Sequence, residues 1–127
     1  MSLRMRQICL VARHLAPVVD EFRAVLGLEV CHRDAGVGKY GLENALFPIG
    51  HKFLEVVAPL REGTTAGRYL DRRGGDGGYM VITQCDDHAP RRRRVAHAKY
   101  PVPEVRWRRS RPRWFLARRA AAGLATA

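Results

Sequence analysis

The side chain of Glu55 is the strongest candidate for chemistry in this sequence of 127 residues. It lies in the middle of a short apolar strand, residues 52–57, where Phe53 and Val57 share its face. A carboxylate between apolar neighbours is a candidate catalytic group, because functional sites hold carboxylates in surroundings that perturb their ionisation. An alternative stays open, in which this face meets water and Glu55 is an ordinary solvated side chain.

The arginine-rich tail, residues 91–127, is the second feature with chemical potential. It holds 12 of the 23 Lys and Arg residues and one acid, Glu104, so it carries the whole net charge of +11. Within residues 91–119, Trp107, Trp114 and Phe115 alternate with arginines, a composition that could bind phosphates and stack on bases. Nucleic-acid association is therefore one hypothesis, and the lack of a recognised nucleic-acid fold around the tail counts against it.

Hydrophobic periodicity predicts the elements that hold Glu55 in place. Apolar residues spaced as on one helix face run from Leu15 to Leu26, with Pro17 in the first turn and Gly27 at the stop. Together with four strands, this helix predicts the chain order strand, helix, strand, strand, strand. The strands are expected at residues 7–12, 28–32, 40–47 and 52–57, with a polar loop at 33–38 and a hairpin link at 48–51.

A fainter copy of this beginning follows a linker. The composition of residues 61–78 predicts a linker, with one short helix at residues 66–72 and a glycine-rich turn after it. The apolar strand and Ala-Pro helix start of residues 7–17 then recur at residues 80–90, 73 residues later. A repeated supersecondary unit indicates a single domain, residues 1–127, built from two similar halves with a ligand site between them.

The tail is long enough for most of a second half but lacks its pattern. It has 37 residues after Pro90, whereas 41 residues run from Pro17 to Val57 in the first half. Three interpretations stay open. The tail is an altered or frame-shifted end, a degenerate but folded second half, or a basic arm for nucleic acid or another anionic surface.

The first half resembles a module of the vicinal oxygen chelate superfamily, which includes glyoxalase I, bleomycin-resistance proteins and extradiol dioxygenases. The resemblance is carried by Leu-Gly-Leu-Glu-Val at residues 26–30, Asn-Ala-Leu-Phe-Pro-Ile-Gly at 44–50 and Phe-Leu-Glu-Val-Val at 53–57. It implies an α+β fold of βαβββ modules, which form a curved and mostly antiparallel sheet with helices on its outer face. The first module would span residues 4–60, and a partial second module would span residues 79–127.

The resemblance also implies a metal site inside a cup. Its first-strand and fourth-strand ligand positions fall on Gln7 and Glu55, oxygen ligands that suit a divalent ion such as Zn, Ni, Mn, Mg or Fe. Four further residues are candidates to contact a ligand in the cup. They are Cys9, for which a buried inert thiol is the alternative, and Tyr40, Asn44 and Tyr79.

The second half departs from that superfamily's metal pattern. Met80 occupies the repeat position where the family places His or Gln, and a thioether is a poor ligand for a hard cation. Tyr79 is expected to point to the opposite face of the strand. The tail has no acid after Glu104 that could serve as the last ligand.

The sequence therefore leaves two main functions and one further alternative. The first is a metal-dependent lyase or dioxygenase that acts on a small molecule, with Glu55 as the catalytic carboxylate. The second is a metal-free binder of a small molecule, as in the bleomycin-resistance branch, and the further alternative is nucleic-acid association. We expect a homodimer, because a lone half-cup leaves a strand edge unpaired. Three widely spaced cysteines and no apolar span predict a cytoplasmic protein without a membrane segment.

Overall fold

The strands form one sheet, and helices pack on both of its faces. A computed structural model describes the backbone of residues 3–97, 106–110 and 113–119, so the remainder of the tail lies outside the described residues. In chain order the elements are β1 (Arg4–Val11), α1 (Leu15–Leu26), a 3₁₀ helix (Ala35–Tyr40), β2 (Leu42–Ile49), β3 (Lys52–Pro59), α2 (Thr65–Arg73), β4 (Gly77–Cys85), α3 (Ala89–Ala96), β5 (Arg106–Ser110) and β6 (Arg113–Arg119). Among the described residues, no helix combines the length and apolar character needed to cross a membrane.

The strand order across the sheet is β2-β3-β1-β4-β6-β5. The β1–β3 pair is parallel, and the other four neighbouring pairs are antiparallel. The predicted α+β fold with a mostly antiparallel sheet is confirmed. β1 and β3, which carry Gln7 and Glu55, lie next to each other near the centre of the sheet, where both strands have partners on each side.

Helix α1 covers one face of the sheet, which we call the outer face. It begins and ends at the predicted residues, because Gly27 takes the left-handed conformation (φ 63°) that ends a helix and that other residues avoid. Its apolar stripe packs on β2 and β3, where the ring of Phe22 meets the ring of Phe47 edge to face at 5.4 Å. This packing orients β3 so that its alternate residues, including Glu55, face away from α1.

Helix α2 packs on the opposite face, which we call the Glu55 face. The prediction that the helices lie on the outer face is wrong for this helix. Tyr69 and Leu70 of α2 pack against Cys9, Val11 and Val57, so they close one end of the face that holds Glu55. The sequence placed this helix within a linker, and a linker pattern does not tell which face of a sheet it will cross.

Two predicted strands are corrected beside β2. Residues 28–32 form a single bridge, in which Cys31 N–H donates to the Leu46 carbonyl and Leu46 N–H donates to that of His32, both at 2.9 Å. The chain then leaves the sheet edge, because the carboxylate of Asp34 accepts the N–H of Gly36 and starts the 3₁₀ helix. The strand predicted from residue 40 begins only at Leu42, after this helix has ended.

The second half is not a copy of the first. β3 runs parallel to β1, whereas β6 runs antiparallel to β4, the strand equivalent to β1. β6 also pairs with the edge of β4 that does not face β1. The unpaired-edge argument for a homodimer therefore no longer applies at β4, although the state of assembly stays a prediction.

Candidate functional site

Glu55 lies at the centre of β3, and both oxygens of its carboxylate accept hydrogen bonds from carboxamides. Gln7 on β1 donates from Nε2 to Oε2, and Asn44 on β2 donates from Nδ2 to Oε1 across 2.7 Å. Glu55 is only 7% exposed, so it is a buried carboxylate and not a solvated one. Hydrogen bonds to a charged acceptor are the stronger kind, and these two hold the carboxylate in one orientation.

Asn44 joins this group to the loop before the 3₁₀ helix. Its Oδ1 accepts the backbone N–H of Asp34 at 2.8 Å, while its Nδ2 donates to Glu55. Asn44 is itself buried, so both ends of its amide are satisfied within the protein. Sequence reasoning named Asn44 and missed Asp34. The Asp-x-Gly pattern at Asp34 signals a turn, but nothing local identifies its partner ten residues later.

Cys9 is a neighbour of Glu55 and not a nucleophile. It is the register partner of Glu55 in the parallel β1–β3 pair, and its side chain is fully buried. Burial raises the pKa of the Cys9 thiol, and the charge of Glu55 and a hydrogen bond to it raise that pKa further. The thiol therefore stays protonated at neutral pH, where only a thiolate would attack or bind a metal strongly.

Strand β4 completes the surroundings with apolar side chains. Met80 lies opposite Cys9 and Ile82 lies opposite Gln7, and both are half-buried. Tyr79 is the extra residue of an irregularity in this pairing, where the partners of Cys9 and Leu10 are Met80 and Gly78. The expectation that Tyr79 points away from Met80 is wrong, because both pack against the cluster that contains Cys9.

Tyr79 and Tyr40 occupy different kinds of position. Tyr79 is buried, with its ring 5.2 Å from that of Tyr69, so it supports the end of the Glu55 face that α2 closes. Tyr40 ends the 3₁₀ helix, is 40% exposed and lies beside Lys39, whose ammonium is 5.0 Å from the ring. The structure thus brings Gln7, Cys9 and Asn44 to Glu55, and it places Tyr40 off the sheet.

A divalent metal is the cofactor that the resemblance implies, and the donors at this site do not fit one. Gln7 and Asn44 both turn amide nitrogens to Glu55, which leaves its oxygens engaged with donors. From β4, Met80 and Ile82 offer a thioether and a hydrocarbon, which are poor ligands for a hard cation. No cluster of three or more His, Cys, Asp or Glu side chains in the described part of the chain is arranged to hold a metal ion.

The sequence as a whole matches one protein family. The family model of the glyoxalase-like domain (Glyoxalase_3) matches residues 8–126, which is nearly the full chain. No protein among the curated sequences matches it significantly.

Several solved structures have the same fold. A variant of Streptomyces coelicolor methylmalonyl-CoA epimerase, in complex with 2-nitronate-propionyl-CoA, is 25% identical, with 91% of this chain and 88% of that chain covered and a TM-score of 0.72. Methylmalonyl-CoA epimerase from Mycobacterium tuberculosis is 19% identical, with 84% and 71% covered and a TM-score of 0.69. The hypothetical protein BH1468 from Bacillus halodurans is 18% identical, with 76% and 69% covered and a TM-score of 0.69.

Proposed function

This chain belongs to the glyoxalase-like domain family, and we propose that it binds a small acyl compound on the Glu55 face without a divalent metal. The observation that carries the proposal is the donor set around Glu55. A buried carboxylate held by two carboxamides, with Met80 and Ile82 beside them, suits an organic ligand with both polar and apolar parts.

The side chains around Glu55 are partly exposed, so a ligand on the Glu55 face can contact them. Gln7, Phe53, Met80 and Ile82 are half-buried and follow one another across three strands of the Glu55 face. A carboxamide has two N–H donors, and Gln7 uses one of them on Glu55. We assign the second to an oxygen of the ligand, for example the carbonyl oxygen of an acyl group. The apolar neighbours then contact its carbon chain.

Acyl-CoA thioesters are the first ligand class to test. The support comes from the structural neighbours, several of which are methylmalonyl-CoA epimerases solved with CoA esters. A thioester carbonyl next to a hydrocarbon chain also matches the polar and apolar parts of the Glu55 face. The identity of the acyl group is a separate question, which a panel of thioesters of increasing chain length answers.

Proton transfer is the second candidate function, and the burial of Glu55 favours it. Glu55 is the one buried carboxylate among the described side chains. As a base, its oxygen would take a proton from the carbon next to the thioester carbonyl. The C–H bond breaks, an O–H bond forms on Glu55, and the electron pair moves to the carbonyl oxygen near Gln7. Return of a proton to either face of that carbon would give exchange or epimerisation.

Binding and proton exchange are tested on the same protein. Propionyl-CoA binding is measured by titration calorimetry after dialysis against EDTA, and again after addition of Ni²⁺, Mn²⁺ or Zn²⁺. Exchange of the hydrogens next to the carbonyl is followed in D₂O by mass spectrometry. We expect binding without metal, and loss of exchange in Glu55→Gln. The matched control is Glu43→Gln, because Glu43 lies on β2 beside Asn44 and therefore on the outer face.

Two outcomes would contradict these proposals separately. Binding that appears only when a divalent ion is restored would overturn the metal-free site and favour a metal-dependent lyase or dioxygenase. Metal-free binding without exchange, in wild type and in both variants, would leave the binding function and remove the catalytic one.

A further inference from the structure

Strand β1 contains one extra residue, Arg6, relative to its neighbour β4. Met5 lies opposite Thr83 and Gln7 lies opposite Ile82, so the step from Met5 to Gln7 takes two residues on β1 and one on β4. This irregularity is a β-bulge. Bulges redirect side chains and are frequent next to active sites, so the direction of the Arg6 side chain matters.

The bulge brings the side chains of Arg6 and Gln7 to the same face of the sheet. The guanidinium of Arg6 lies over the ring of Phe53, 4.6 Å from its centre. Phe53 is two residues from Glu55 on β3 and therefore points to the Glu55 face, where Gln7 also donates to Glu55. Consecutive side chains of a regular strand point to opposite faces, so without the bulge Arg6 would point to the outer face.

The spacing along β3 lets one small ligand contact both Glu55 and Arg6. Phe53 and Glu55 are two residues apart on this strand, which is about 7 Å. In an acyl compound, the carbonyl oxygen is two bonds away from the carbon that can lose a proton. With a hydrogen-bond length of about 3 Å at each end, these two atoms span the gap between Glu55 and the group over Phe53. Gln7 is the register partner of Phe53, so its amide would lie beside the same oxygen.

We propose that Arg6 and Gln7 form an oxyanion site, in which they bind the carbonyl oxygen of the acyl ligand and stabilise the negative charge that it gains during proton transfer. The inference rests on the proposed function of Glu55 and adds the groups that make the carbon acidic. Glu55 takes the proton, the C–H electron pair forms a double bond to the carbonyl carbon, and the former carbonyl pair moves to the oxygen. This oxygen accepts hydrogen bonds from the Arg6 guanidinium and from the second N–H of Gln7. Return of the proton restores the C–H bond and the neutral carbonyl.

The type of side chain decides the role of Arg6. A guanidinium carries a fixed positive charge, has five N–H donors and does not give up a proton in proteins, so Arg6 stabilises charge and transfers no proton. Donors that are held where negative charge develops are among the largest contributions to catalysis. The ring of Phe53 holds the guanidinium in place through a cation–π contact, and the half-buried position of Arg6 strengthens its charge interactions relative to water.

An enolate analogue tests the site by affinity. The ligand 2-nitronate-propionyl-CoA, present in the structure of the Streptomyces coelicolor epimerase variant, carries a negative charge on oxygens beside the reacting carbon. Propionyl-CoA is neutral at that position, and both compounds have the same phosphates. Titration calorimetry measures the ratio of the two affinities in Glu55→Gln, because position 55 is then neutral, as Glu55 is once it has taken the proton.

Three substitutions are compared, alone and together with Glu55→Gln. Arg6→Gln removes the charge and Arg6→Lys keeps it. Arg23→Gln is the matched control, because it makes the same change of charge on α1 at the outer face. Hydrogen exchange of propionyl-CoA in D₂O is followed in the proteins that retain Glu55, and thermal unfolding confirms that each variant folds.

Arg6→Gln should lower the preference for the nitronate on the order of 10- to 100-fold and the exchange rate on the order of 100-fold, with little change in the affinity for propionyl-CoA. Arg6→Lys should retain much of both, and Arg23→Gln should change neither. An unchanged preference in Arg6→Gln would overturn the proposal. Equal losses of affinity for both ligands would also overturn it, because Arg6 would then bind a phosphate that they share.

The outcomes separate this inference from the proposed function. If the protein prefers the nitronate through Arg6 but exchanges no hydrogen, the oxyanion site stands and proton transfer to Glu55 fails. If exchange depends on Glu55 and neither exchange nor the preference depends on Arg6, the proposed function stands and the oxyanion site fails. Absence of binding of either ligand would overturn both.

Discussion

Ile8 on β1 lies directly opposite Val81 on β4. The two are 73 residues apart, the separation between the two copies of the internal repeat, so each residue faces its own equivalent. The flanking pairs are exchanged by the same symmetry, since Gln7 faces Ile82, the equivalent of Cys9, and Cys9 faces Met80, the equivalent of Gln7. A local twofold axis therefore passes between β1 and β4, and it relates the two halves where they meet.

This symmetry explains why the site is one-sided. It makes Gln7 and Met80 equivalent positions, but only Gln7 carries a polar side chain that reaches Glu55. Beyond β4 the symmetry ends. The twofold axis would place a copy of β3 parallel to β4, as β3 is parallel to β1, but β6 is antiparallel to β4. The halves thus share a common centre and have different outer strands, with a carboxylate in one and arginines in the other.

Removal of the Asn44 side chain should destabilise the protein. Asn44→Ala removes one hydrogen bond to the Glu55 carboxylate and leaves the Asp34 N–H without its acceptor. The Glu55 oxygen is buried, and an unsatisfied buried acceptor costs about 1–3 kcal/mol in the free energy of unfolding, which urea denaturation measures, whereas water can replace the acceptor of the exposed Asp34. Glu43→Ala, at the adjacent and less buried position, is the control. A loss for Asn44→Ala no greater than that of the control would contradict the role assigned to Asn44.

Cys9 should make the folded protein sensitive to alkali. Its thiol has a pKa raised well above the ordinary value of 9.0 in the folded state, so above that value the unfolded chain releases a proton that the folded chain retains. The stabilising contribution is complete below pH 9.0 and declines as the pH rises, by about 1.4 kcal/mol per pH unit.

The test compares the free energy of unfolding of wild type and Cys9→Ala at several values between pH 8 and pH 10. Above pH 9.0, the difference in the free energy of unfolding between the two proteins should change by about 1.4 kcal/mol per pH unit. Cys31→Ala is the control, since Cys31 is exposed. Parallel profiles for wild type and Cys9→Ala would show that burial does not hold the proton on this thiol.

The sequence predicts the first half of this fold well because its signals are local. The stripe from Leu15 to Leu26 and the stop at Gly27 define α1 to the residue. Glu55 is recognisable as a candidate from its apolar strand, and the resemblance adds Gln7. The repeat predicts two similar halves, and the pairing of β1 with β4 that joins them becomes evident only in the structure.

The parts that sequence reasoning missed depend on long-range pairing. The contact from Asp34 to Asn44 joins two segments whose local patterns are independent of each other. The direction of β6 is set by which edge of β4 the tail meets, and hydrophobic alternation is the same for both directions. Strict alternation predicts the wrong face for Tyr79, because one extra residue in β4 reverses the alternation of side chains and the sequence shows no signal for it.

Two glycines should differ in their tolerance of alanine. Gly27 and Gly41 both have positive φ, at 63° and 71°, so either substitution costs about 1–2 kcal/mol in backbone strain. A Cβ at Gly27 meets no atom within 4 Å, whereas one at Gly41 would lie 2.7 Å from Arg61 and 2.9 Å from Thr64. We expect Gly41→Ala to lose about 1 kcal/mol more than Gly27→Ala in urea denaturation. Equal losses would mean that these neighbours move aside without cost.

A single substitution should create a metal site on the Glu55 face. Met80 lies two strands from Glu55 on the same face, about 10 Å between backbones, which a histidine, a glutamate and an intervening ion can span. Met80→His would add an imidazole to this face, and a bound ion would replace the hydrogen bond between Gln7 and Glu55, so that imidazole nitrogen and the Gln7 and Glu55 oxygens form a donor set that suits Ni²⁺ or Zn²⁺.

The readout is the melting temperature with and without Ni²⁺. At about 100 times its dissociation constant, the ion should stabilise Met80→His by about 2.7 kcal/mol, or by roughly 5–10 °C. Val81→His is the matched control, because the adjacent position lies on the outer face. Wild type should not respond, since its thioether and its amide-bound carboxylate hold no hard cation. A rise in the wild type equal to that in Met80→His would show that the Glu55 face already binds metal.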